Sequence, residues 1–137
     1  MKSAIAELEA KGKAARAAAR LLAYLATDIK NKTLQNISDD LLDRKDEILV
    51  ANQVDYEEAE TSGMNTVMLD RLMLDSSRLE TIARDVLAIA ALPDPVGETF
   101  DNRTMPNGLL LSKKRVPLGI IGAIYESRPN VTIDISA

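Results

Sequence analysis

The chain has 137 residues, 46% hydrophobic and 28% charged, which suits one globular domain with a real core and excludes a disordered polymer. Its net charge is −4, from 17 basic and 21 acidic side chains, so neither nucleic acid nor an anionic membrane is an expected partner. It has no cysteine and no histidine, which removes a thiol nucleophile, a Ser-His pair and a Cys/His zinc site from these residues, and no metal site is expected.

The N-terminus, Met1-Lys-Ser-Ala-Ile-Ala-Glu, is charged and amphipathic and lacks the apolar run of a signal peptide, so a cytoplasmic protein is expected. Residues 3–28 read as one long helix, with Ile5, Leu8, Ala15, Ala18, Ala19, Leu22, Leu25 and Ile29 on one stripe. The polar Asn31-Lys32 junction breaks it, and Thr33 caps a second helix whose buried face is Leu34, Ile37, Leu41, Ile48 and Leu49. The acidic run Glu57–Glu60 reads as a solvated face, and Gly63 is a C-terminal stop. Asn65 or Thr66 opens a short helix with Val67, Met68, Leu69, Leu72 and Met73. Asp75, Ser76 and Ser77 open another, in which Leu79, Ile82, Ala83, Val86, Leu87 and Ala90 face inward until Pro93 ends it.

Beyond Leu92 the character changes. Gly97–Met105 and Leu109–Val116 are extended and flank Asn107-Gly108, a signal for a type I′ hairpin turn. Leu118–Ile124 is an apolar run with two glycines, which reads as a central parallel strand covered on both faces. Gly119 and Gly122 lie inside that run rather than in a turn after it, so this is not a dinucleotide-binding glycine loop. Val131-Thr-Ile-Asp-Ile135 then fits the first turns of a helix.

Glu126-Ser-Arg-Pro-Asn130 follows the carboxyl end of that expected strand, where open α/β sheets place ligands. Arg128 can clamp a carboxylate or phosphate with paired donors, and Asn130 can offer an amide to a developing oxyanion. The plainer alternative is that Glu126 and Arg128 pair with neighbours and Asn130 is an N-cap.

Arg115-Val-Pro-Leu-Gly-Ile-Ile-Gly-Ala-Ile-Tyr-Glu-Ser-Arg-Pro-Asn-Val-Thr132 closely resembles the signature of the gamma-glutamyl phosphate reductase family, within the aldehyde dehydrogenase superfamily. Ala91-Leu-Pro-Asp-Pro-Val-Gly97, the Asn107-Gly-Leu109 turn and Asn52-Gln-Val-Asp55 are similar to the same family. The resemblance implies an N-terminal portion of an α/β enzyme. It would hold a helical region (1–92), a β-hairpin acting as an oligomerisation element (93–117) and the truncated start of a nucleotide-binding domain with its first strand (118–137), mostly α as it stands. It implies NADPH-dependent reduction of L-glutamate 5-phosphate to L-glutamate 5-semialdehyde in proline biosynthesis, by a homo-oligomer whose nucleophilic cysteine has no counterpart here. By itself the chain is then expected to be inactive. The resemblance further implies that Ile124, Tyr125, Glu126 and Ser127 neighbour the cofactor and that Asn130 is the oxyanion residue, while Arg128, by its own paired donors, is the candidate that binds substrate. A gapless alignment of the strand instead puts Arg128 at the oxyanion position. The rival class is a non-catalytic helical interaction or oligomerisation module.

Overall fold

The computed structural model describes residues 2–137 and contains six helices and one two-stranded sheet among them. In chain order these are α1 (Lys2–Leu22), α2 (Thr27–Asp43), α3 (Lys45–Thr61), α4 (Thr66–Leu72), α5 (Ser76–Ala90), β1 (Thr99–Thr104), β2 (Leu110–Lys114) and α6 (Pro129–Ser136). Two compact units emerge: Met1–Thr27 with Pro93–Gly122, and Asp28–Leu92 with Ala123–Ala137.

The first unit holds α1 and the hairpin. The expected helix over 3–28 stops at Leu22, where the amides of Tyr24 and Leu25 bond the carbonyls of Leu21 and Leu22 and tighten the last turn. The break falls there, not at Asn31-Lys32, because Thr27-Asp28 opens the next helix with an acidic first turn. Ile5, Leu8 and Leu22, on the α1 stripe, are all exposed.

β1 and β2 pair antiparallel, with Thr99 opposite Lys114 and Thr104 opposite Leu110. One extra residue on β1 between Phe100 and Arg103 makes a bulge, where Asp101 adopts φ 54° and binds Lys113 at 2.8 Å. The turn is not type I′. The Gly108 amide bonds the Met105 carbonyl and Met105 bonds Leu109, giving a three-residue loop. Pro106 holds its φ negative and only Gly108, at φ 86°, is left-handed, so the primed geometry, which needs two such residues, is not formed. At the open end, Arg115 pairs with Glu98 at 2.7 Å and lies over the Phe100 ring.

Leu118–Ile124 forms no strand. Gly119 takes φ 91°, which interrupts an extended run, and no described segment offers it a ladder.

The second unit carries the core. Thr33 does not cap a helix: it lies inside α2 and donates its hydroxyl to the Ile29 carbonyl. Helices α2 and α3 meet at Arg44, whose amide bonds Asp40 and whose carbonyl accepts from Ile48, so main-chain bonding runs on through the junction. After α3, Gly63 at φ 81° closes a Schellman turn: its amide bonds Glu60 and that of Met64 bonds Ala59. Asn65 caps α4 by accepting from the Met68 amide at 3.0 Å, and Asp75 caps α5 by accepting from the Arg78 amide at 2.7 Å. Leu41, Leu79, Ile82 and Ala83 form the buried cluster, with Ile37, Ile48, Leu74 and Ile133 packed against it. Leu87, expected inward, is 43% exposed because it lies off the Leu79–Ile82–Val86 stripe of α5.

Two polar side chains are buried in this unit, and both are satisfied. Ser38 donates to the Ala83 carbonyl at 3.0 Å. Asn52 donates to the Leu72 carbonyl at 2.9 Å and accepts from the Leu74 amide at 2.6 Å, which ties the link between α4 and α5 to α3.

Candidate functional site

The candidate residues lie on the segment that leads into α6 and on the first turn of that helix. The turn itself is encoded by Arg128-Pro129. Proline disfavours a helical conformation for the residue before it, and Arg128 sits at φ −138°, ψ 89° as the N-cap. Proline at the first helical position then sets the helix start. Ser127, just upstream, is held in the left-handed region at φ 52°, a conformation that costs a residue with a side chain roughly 1–3 kcal/mol and marks a sharply determined bend.

Asn130 is therefore not the cap. It is the second residue of α6, half-buried, and its main-chain N–H has no carbonyl to reach within the helix. Its side-chain amide donates one hydrogen to Asp134 at 3.0 Å, leaving the second hydrogen of the NH₂ group for another acceptor. Arg128 is exposed and no described residue holds its guanidinium. The alternative in which Glu126 and Arg128 pair with neighbours is not realised.

Of the four residues expected near a cofactor, Ile124 is fully exposed and Glu126 exposed. Tyr125 shares a 2.7 Å hydrogen bond between its hydroxyl and that of Thr132, which anchors the extended segment to α6, and Ser127 is half-buried at the bend. These four form one continuous stretch.

Asn130 also faces a cavity of about 350 Å³ within the second unit. Met73, Leu74 and Ile82 give it an apolar floor, and Arg71, Ser77, Arg78, Thr81, Asp85 and Asp134 complete its lining. This cavity is not legible in the sequence, because α6, far along the chain, closes it against α4, α5 and the link between them. Arg78 is fixed within it. Its guanidinium donates to the Asp70 and Met73 carbonyls and pairs with the Asp70 carboxylate at 2.7 Å, and Asp70 is the main reason its proton is held more tightly than usual.

Among the described residues no group of three His, Cys, Asp or Glu side chains could hold a metal ion, and no helix is long and apolar enough to cross a membrane.

No family model matches the chain. Individual relatives match it closely. Gamma-glutamyl phosphate reductase of Dehalococcoides mccartyi strain CBDB1 is 59% identical over 137 residues, all of this chain and 32% of that protein. The enzyme of the same name from Chloroflexus aggregans is 54% identical over 131 residues, 96% of this chain and 31% of that protein. The crystal structure of gamma-glutamyl phosphate reductase from Thermotoga maritima superposes with a TM-score of 0.91 at 40% identity, covering 95% of this chain and 31% of that one. The chain is a homologue of the N-terminal part of gamma-glutamyl phosphate reductase. It spans about a third of the length of the curated relatives it matches. The structure of the Saccharomyces cerevisiae enzyme gives the same result, with a TM-score of 0.86 at 31% identity over 90% of this chain.

Proposed function

We propose that the chain is the N-terminal part of a gamma-glutamyl phosphate reductase, which reduces L-glutamate 5-phosphate to L-glutamate 5-semialdehyde and phosphate in proline biosynthesis. The observation that carries this reading is the 59% identity over every residue of the chain to an enzyme of that name. NADPH supplies the hydride when bound, and a cysteine thiolate is the nucleophile. This chain has no cysteine, so the thiolate belongs to the part of the protein that corresponds to the remaining length of the relatives.

What this chain contributes is position. The left-handed Ser127 and Pro129 turn the backbone sharply into α6, and the Tyr125–Thr132 bond fixes the segment before the turn against the helix. That presents the amide of Asn130 from a rigid first helical turn, and we assign it the oxyanion of the carbonyl under attack. Arg128, exposed and without a carboxylate partner, is assigned to an anionic group of the substrate. Ile124, Tyr125, Glu126 and Ser127 are assigned to one flank of the cofactor. The hairpin within 93–117, whose strands are exposed along their whole length, is assigned to a sheet shared between subunits of a homo-oligomer.

The test is direct. The full-length polypeptide that contains this chain is purified and assayed, with NADP and then NAD, for phosphate-dependent oxidation of L-glutamate 5-semialdehyde. Turnover that requires phosphate and prefers NADP is expected. Its absence overturns the reading.

A further inference from the structure

The cavity beside Asn130 carries opposite charges that the chain does not neutralise. Arg71, in the last turn of α4, reaches among the described residues only the sulfur of Met68, at 4.0 Å. Asp85, on α5, has no hydrogen bond or ion pair with any described residue. The two line one cavity, yet they do not pair with each other. Of the other polar side chains of that cavity, the Ser77 hydroxyl and the second Asn130 amide hydrogen are open too, among the described residues, but neither carries charge. Arg78 is committed to Asp70 and to two main-chain carbonyls, Asp134 accepts from Asn130, and Thr81 donates to the Ser77 carbonyl. A cation and a carboxylate left open over an apolar floor are complementary to a ligand with one charge of each sign and a short methylene stem. An α-amino acid end has that pattern.

We propose that this cavity binds the α-amino-acid end of the γ-glutamyl substrate, with Arg71 on the α-carboxylate and Asp85 on the α-ammonium. The stem then runs over Met73, Leu74 and Ile82 and delivers the reacting carbonyl toward Asn130, which lines the same cavity. This rests on the reductase reading above and adds to it the residues that choose glutamate from other acyl groups. A carboxylate recognised by guanidinium and an ammonium recognised by carboxylate form charge-assisted hydrogen bonds, the stronger kind, so each is expected to discriminate clearly.

The experiment uses the full-length enzyme and three aldehydes in the oxidative direction. L-Glutamate 5-semialdehyde carries both charges, 5-oxopentanoate lacks the ammonium, and 4-aminobutanal lacks the carboxylate. Asp85→Asn is expected to lower kcat/KM about tenfold or more for the two substrates that carry an amine, through KM, and to leave 5-oxopentanoate unchanged. Arg71→Gln is expected to lower it similarly for the two substrates that carry a carboxylate and to leave 4-aminobutanal unchanged. An equal loss on all three aldehydes, or no loss on any, overturns the assignment while the reductase reading stands. A wild-type enzyme inactive on every aldehyde overturns the reductase reading, and this inference with it.

Discussion

Asn52 reaches from α3 to both sides of the link between α4 and α5, and both of its bonds are to main-chain groups. Asn52→Ala leaves the Leu72 carbonyl and the Leu74 amide short of a partner in a largely buried place, so a loss of about 1–3 kcal/mol is expected in urea unfolding. A loss under about 0.5 kcal/mol, the range of an ordinary surface change, would show that water replaces the side chain. Asn130 is different in kind, because its amide keeps a hydrogen that no described residue accepts, and its proposed role is in turnover. In the full-length enzyme Asn130→Ala is expected to lower turnover by about 2.7–4 kcal/mol of transition-state stabilisation, with the KM for cofactor little changed. Arg128→Ala is expected to raise the substrate KM instead. The reverse pattern, turnover lost with Arg128 and KM with Asn130, would place Arg128 at the oxyanion position.

Among the elements, the helix starts at Asn65 and Asp75 and the stop at Gly63 were legible from sequence, because cap chemistry is local to three or four residues. Asp75→Ala is accordingly expected to cost about 1 kcal/mol, read by thermal unfolding. An unchanged melting temperature would mean that the cap is dispensable. The break at Ala23–Ala26 was not legible, because alanine and leucine favour helix there and the Thr27-Asp28 start outweighs them. The type I′ turn was misread because Pro106 widens the loop by a residue. The Leu118–Ile124 strand was legible only as an apolar run: a strand exists through its partners, and sequence does not say whether they are present. At the candidate site the run from Ile124 to Asn130 was legible, but its bend depends on Ser127 adopting φ 52°, which serine does not advertise. The cavity with Arg71 and Asp85 is not legible, because its remaining wall, Asn130 and Asp134 on α6, comes from far along the chain. Charge on the exposed α1 gives one pH dependence. Lys11 at 2.7 Å holds the Glu7 carboxyl below its ordinary range, through their hydrogen bond first and their charges second. A depressed carboxylate stabilises the helix above its unfolded pKa and loses that contribution as pH falls through the folded value. Glu7→Gln is therefore expected to flatten the acid limb of α1 helicity, and added salt to shrink the difference. An unaltered acid limb would assign that limb to other carboxylates.

For the molecule as a whole, the apolar surface after the helices decides behaviour. Leu110 is 85% exposed, Leu118 88% and Ile124 fully exposed, and Ile121 and Val116 are open as well. The buried cluster, by contrast, draws only on residues of the second unit, with Leu79 and Ala83 at its most enclosed points. Val116–Ile124 is a largely apolar stretch outside any ladder, and β2, which carries Leu110, keeps one free edge in its two-stranded sheet; both are templates for pairing, and another copy of the chain carries the same two. The 137-residue chain is therefore expected to self-associate through residues 109–124 while the helical core stays folded within each copy. Light scattering over a concentration series should give a mass above the 14.9 kDa monomer. Hydrogen exchange should show slow amides over Leu79–Val86. At low concentration it should show fast exchange over Leu118–Ile124, where no ladder holds the main chain, and slower exchange there as the chain associates. Leu110→Lys with Ile121→Lys should return the mass to the monomer without altering protection of the core. A strict monomer at high concentration, with Leu118–Ile124 strongly protected, would show that the chain covers this stretch by itself and that association needs another surface.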